Sequence, residues 1–153
     1  MLIKMMNRLK KEEKGFTLIE LLAVIVILAV IAAIAVPYIL GVINKSKDDA
    51  DVATARQLYD AAKLYVTAEK GGVFKNVTIT LSDLKTGKYI ENDIMLPSTK
   101  EPLSSASIVF KNDDSGELTS VKIETTTLAK EYTGPNVLKS SATGATVSIK
   151  PTT

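Results

Sequence analysis

The sequence predicts an α+β protein, in which a long N-terminal α-helix, kinked at Pro37, packs on a small antiparallel β-sheet head. Three observations predict it. Leu21–Ile43 runs for 23 residues without a charge. Beyond it, Val52, Ala55, Tyr59, Ala62 and Val66 recur at the 3- and 4-residue spacing of one helix face, and Gly71-Gly72 stops the pattern. After that the chain breaks into short β-prone runs separated by turn residues.

At 153 residues the chain fits one domain with an extension. It holds no Cys and no His, which removes disulfides, the usual zinc sites, Cys–His pairs and Ser–His–Asp triads. No pattern points to Ser–Lys or two-carboxylate chemistry, so no enzyme activity, cofactor or metal is expected. The net charge of +2 hides a split. Residues 1–15 carry five bases against Glu12 and Glu13, whereas residues 16–153 carry 14 bases and 15 acids. The basic excess therefore belongs to the first fifteen residues, and the folded part has no basic stripe that would predict direct nucleic-acid binding.

The elements follow in order. The run Leu21–Ile43 is long enough to cross a membrane as a helix, since roughly 20 apolar residues span a bilayer core. The bases before it are expected to stay cytoplasmic and to place the remainder outside. A secretory signal peptide fits poorly, because its apolar region is shorter and ends at a small-residue cleavage site. One carboxylate, Glu20, stands inside the apolar block Phe16–Leu22, where ionisable groups usually serve a function.

The segment Lys14-Gly15-Phe16-Thr17-Leu18-Ile19-Glu20-Leu21-Leu22 resembles the prepilin signal of type IV pilins and pseudopilins. Gly stands before the cut, Phe becomes the first residue, and Glu is fifth after it. The apolar run and Pro37 extend the likeness. The resemblance implies that a prepilin peptidase/methyltransferase cuts between Gly15 and Phe16 and methylates the Phe16 amine. It implies that Glu20 neutralises the terminus of a neighbouring subunit during assembly, where an unpaired ammonium in an apolar bundle is costly. It further implies a single-pass precursor in the inner (cytoplasmic) membrane, self-assembly with identical or related subunits, a pilus assembly platform as partner, and a filament outside the cell. Many pilins carry a Gly about eight residues before the proline, where this chain has Ala29, and many pin the C-terminal region with a disulfide, which a Cys-free chain lacks.

On this reading residues 1–15 are a cleaved leader, 16–43 the membrane and filament-core half of the helix, 44–70 its amphipathic half, and 71–153 the head. Pro37 lacks an N–H and crowds the carbonyl of Ala33, so a kink is expected. The charged cluster Lys45–Asp51 reads as a solvated turn of helix. Val73–Leu81 reads as an extended segment or strand and Ser82–Ile90 as a short helix closed by Gly87, with Leu81, Leu84, Tyr89 and Ile90 packing on the long helix. Pro97 and Pro102 bracket a loop. Ser107–Lys111 and Leu118–Glu124 form a hairpin across an acidic turn that lacks calcium-loop spacing. Thr133–Gly144 reads as surface loop, and Thr146–Lys150 completes a sheet of three or four strands.

Three functions compete. A structural subunit of a type IV pilus is favoured, because Lys100-Glu101-Pro102-Leu103 stands where a major type II pseudopilin would carry an Asp-Pro-Trp-Gly-like segment. A pseudopilin of a type II secretion or competence DNA-uptake system is the alternative. A plain signal-anchored enzyme or binding domain explains neither Gly15-Phe16 nor Glu20.

Overall fold

The computed structural model describes residues 16–113, 115–139 and 145–150. The leader, Gly15 with it, lies outside the described residues, as does the stretch 140–144 of the expected surface loop. Two compact units divide the chain between Gly41 and Val42.

Helix α1, Leu18–Glu69, contributes to both. Its apolar part is exposed along Leu18–Ile43 apart from half-buried Ala35. That helix is long and apolar enough to cross a membrane. It continues without interruption through Pro37.

In the second unit, α1 turns one face to a core and ends where predicted. Gly71 and Gly72 take positive φ, and the Gly72 N–H reaches back to the Val66 carbonyl at 3.0 Å. Both conformations are easy only for glycine. Next come β1 (Thr78–Thr80), α2 (Leu81–Thr86), β2 (Met95–Leu96), β3 (Glu101–Pro102), β4 (Ser105–Phe110), β5 (Leu118–Glu124), β6 (Leu128–Thr133), α3 (Gly134–Leu138) and β7 (Thr146–Ile149). One antiparallel sheet has the order β1-β4-β5-β6-β7, and β2 pairs with β3 separately.

The register sets the faces of the sheet. Ile79 stands opposite Ile108, Ile108 opposite Val121, and Val121 opposite Tyr132. These side chains and Phe110 meet Val52, Ala55, Leu58, Tyr59, Ala62 and Val66 of α1 in one buried cluster. Leu81, Leu84, Leu96, Leu103 and Val137 close its margins. Fully buried Leu or Ile side chains contribute about 1.5–3 kcal/mol each relative to exposure, so this face of α1 is the main stabilising element.

Several expectations are corrected. The strand at Val73–Leu81 shrinks to Thr78–Thr80, because Asn76 adopts φ 57 and turns the chain so that Phe74 meets Phe110, ring centroids 5.1 Å apart. The short helix begins one residue early, at Leu81, and is capped by Thr80. Thr80 Oγ1 accepts the Asp83 N–H at 3.3 Å while Asp83 Oδ2 accepts the Thr80 N–H at 2.9 Å, a capping box. The stretch bracketed by Pro97 and Pro102 is a loop, closed at its base by a two-stranded ladder of Met95–Leu96 with Glu101–Pro102. The sheet has five strands, with β6 as the strand not foreseen, and part of the stretch read as surface loop is α3. Finally, the Lys45–Asp51 cluster is not simply a solvated turn, since Asp51 is fully buried.

Candidate functional site

The sequence-predicted site residues belong to the start of α1, and the chain there is organised by its own cap. Helix N-termini leave N–H groups without partners. Thr17 stands at the cap position, with its carbonyl accepting the Leu21 N–H at 3.2 Å. Its Oγ1 accepts the Glu20 N–H at 3.2 Å, while Glu20 Oε2 accepts the Thr17 N–H at 2.8 Å and the Thr17 hydroxyl at 2.9 Å. That reciprocal pair is a capping box, legible in the sequence as Thr-x-x-Glu before an apolar run. A carboxylate in the first turn is also favourably placed against the helix dipole.

Phe16 precedes this box and is almost fully exposed. Gly15, the other side of the expected cut, lies outside the described residues. The structure thus places Phe16, Thr17 and Glu20 in one turn, with Pro37 farther along the same helix, roughly 25 Å away at 1.5 Å per residue. The grouping can present a free amine at Phe16 and one carboxylate within a few residues of it. Nothing there activates a nucleophile. Among the described residues no three of His, Cys, Asp and Glu cluster as metal ligands.

A second polar site lies in the head, and sequence reasoning missed it. Asp51 sits on the buried face of α1, one turn before Ala55 and two before Leu58. Lys130 points inward from β6, opposite Ile123 of β5. Its Nζ donates to Asp51 Oδ2 at 2.6 Å and to Asp48 Oδ1 at 2.8 Å. Asp51 Oδ1 accepts the Ser98 N–H at 2.9 Å. Both Asp51 oxygens are therefore engaged, as a buried carboxylate requires.

The energetics of this cluster are divided. Burial pulls the Lys130 ammonium towards its neutral form, but the hydrogen bonds and charges of Asp48 and Asp51 prevail and leave its pKa raised. Tyr132, two residues along on the same face, is fully buried, and its hydroxyl has no hydrogen-bond partner among the described residues. Burial first, then the charges of Asp51 and Asp48, push its pKa far up, so it remains a neutral phenol. Ser98 Oγ is likewise buried without a partner. The available signal was positional: Asp51 falls in register with the apolar helix face.

Comparison with known proteins bears on the same N-terminal segment. The family described as "Prokaryotic N-terminal methylation motif" matches residues 10–36. The chain is 38% identical over 71 residues to a protein of Aeromonas hydrophila described as type II secretion system core protein G, covering 40% of this chain and 48% of that one. A Dickeya chrysanthemi protein of the same description is 38% identical over 72 residues, covering 41% and 46%. The chain spans about half the length of the curated relatives it matches. No solved structure matches. The N-terminal segment is of the prepilin type.

Proposed function

We propose that this chain is a pseudopilin-type structural subunit, cut after Gly15, methylated on Phe16 and assembled into a filament through α1. The observation that carries the reading is the prepilin-type methylation motif together with partial relatives described as type II secretion system core protein G. Sequence reasoning favoured a type IV pilus subunit, on the strength of Lys100-Glu101-Pro102-Leu103 and the absence of Trp. The relatives weigh the other way, and the pseudopilin of a secretion or DNA-uptake machine becomes the preferred form.

The steps follow from the residues. Cutting between Gly15 and Phe16 removes the basic leader and creates an amine beside the Thr17–Glu20 box. The apolar part of α1 holds the precursor in the cytoplasmic membrane and packs against other subunits once extracted. Glu20 then has a choice of donors, and a neighbour's terminal ammonium adds a full positive charge that the neutral Thr17 donors lack. Pro37 gives the apolar part a point of weakened hydrogen bonding, and so a site for bending. The prepilin peptidase, related subunits and an assembly platform are the partners of this scheme, and the chain itself performs no catalysis in it.

The test is the N-terminus of the protein recovered from sheared or membrane-extracted filaments. Methylated Phe16 is expected, and an intact Met1 overturns the reading. Deleting the gene separates the two forms: loss of protein export or DNA uptake with surface pili intact supports the pseudopilin, and loss of surface pili supports the pilus.

A further inference from the structure

Lys130 is the one lysine that the head buries among the described residues, at 5% exposure. It faces two carboxylates of different character. Asp51 is fully buried, whereas about half of the Asp48 side chain is exposed. An ion pair needs only one of them. Together, however, the groups form a set suited to acyl transfer: an amine, a carboxyl carbon, a backbone N–H on one carboxyl oxygen, and a second carboxylate open to water.

The geometry meets the requirements of that reaction. An Nζ to Oδ2 separation of 2.6 Å leaves the amine and the Asp51 carboxyl carbon at roughly the 3–3.5 Å of a near-attack pair. The Ser98 N–H, 2.9 Å from Asp51 Oδ1, lies where negative charge would develop during attack. Asp48 Oδ1, 2.8 Å from Nζ, is within reach of the proton that must move. Burying an ion pair carries a desolvation penalty, and a neutral amide does not incur it. Tyr132 and the apolar face of α1 keep bulk water from the reacting carbon.

We propose that Lys130 and Asp51 become joined by an intramolecular amide between Nζ and Cγ, with Asp48 as the proton carrier. One proton of the Lys130 ammonium passes to Asp51 Oδ2 along their hydrogen bond, and the freed lone pair attacks Cγ of the neutral acid while Asp48 takes a second proton from Nζ. The Nζ–Cγ bond forms and the Cγ–Oδ2 bond breaks. Oδ2 departs as water with two protons that began on Nζ, one passed directly and one through Asp48, and the amide nitrogen retains the third. Charge and atoms balance: an ammonium and a carboxylate become an amide and one water, with no oxidant or co-reactant. Because the carboxylates hold Lys130 charged, proton transfer precedes attack, and the bond forms only after the head has folded around the three residues. In a chain without cysteine, this links α1 to β6 across a sequence separation of 79.

The test is the mass of the full chain, purified from membranes in detergent and then denatured, with a peptide map. It stands apart from the filament reading, since neither cleavage nor assembly enters it. The expected result is a mass short by one water, with a joined fragment carrying Asp51 and Lys130. Lys130→Arg is expected at full mass, and Asp48→Asn to form the bond about 100-fold more slowly, as for loss of a general acid–base group. Wild-type chain at full mass overturns the proposal, as does a missing water mapped to any other pair of residues. Bond formation at the wild-type rate in Asp48→Asn overturns the role given to Asp48.

Discussion

Gly134 joins β6 to α3 at a place with no room for a methyl group. A Cβ built there lies 1.9 Å from the Leu118 carbonyl oxygen and 2.8 Å from its carbon. Both are backbone atoms of β5, held in register where Phe110 pairs with Leu118. Relief requires the β5 backbone or the β6–α3 junction to move by about an ångström, and Val137 behind it is fully buried. Overpacking usually costs about 1–3 kcal/mol, and a rigid backbone partner puts Gly134→Ala at the upper end. For a domain of this size, about 4–8 °C accompanies each kcal/mol, so the melting temperature should fall by roughly 10–20 °C. The assay is thermal unfolding of the full chain in detergent, followed by near-ultraviolet circular dichroism of its five tyrosines, with no tryptophan to obscure them. Gly41→Ala is the control. Nothing lies within 4 Å of its added Cβ, and replacing a helical Gly gains up to about 1 kcal/mol. A Gly134→Ala protein melting with wild type would refute the packing argument.

Other outcomes follow from the same residues. Glu20→Gln, which keeps shape but not charge, should be processed normally and yield few filaments in a shearing assay; wild-type yield would remove the charge from the assembly scheme. Leu58→Ala, at a fully buried position on α1, should lose about 2–5 kcal/mol in urea unfolding. Thr80→Ala should cost about 0.5–2 kcal/mol by removing the cap of α2. It should also alter acid stability. Hydrogen bonds from the Thr80 side chain and backbone hold the Asp83 carboxyl below its usual range. A folded pKa below the unfolded one adds stability that is present above the unfolded value and disappears as pH falls through the folded one. The Thr80→Ala deficit should accordingly narrow below about pH 4, and a deficit independent of pH would disprove the linkage.

Local features of this chain were legible because their causes are local. The face of α1, its glycine stop and the β4–β5 hairpin are written in spacings of a few residues. Strand β6 was not legible because its inward positions read Leu128, Lys130 and Tyr132, and a lysine at a core position breaks the alternation. What makes that lysine tolerable is Asp51, distant in sequence and itself read as solvated. Each charge looks like evidence of a surface until the other is placed beside it. The shortened β1 has a different origin, in the left-handed turn at Asn76, which propensity alone does not locate. At the start of the chain, Phe16 and Glu20 were identified by pattern, but the cap at Thr17, which holds the Glu20 carboxylate, was not.

Helix α1 is one element by hydrogen bonding and two by cooperativity. Opening a turn between Val52 and Val66 breaks into the core, so the amides there should exchange with solvent only when the head unfolds. Before Gly41 the helix belongs to a separate compact unit, and its apolar side chains are exposed. On the proposed reading, the order of those turns then comes from whatever surrounds them, first lipid and afterwards other subunits. The same backbone can thus stay rigid where it carries the head and take its stability on loan where it changes solvent.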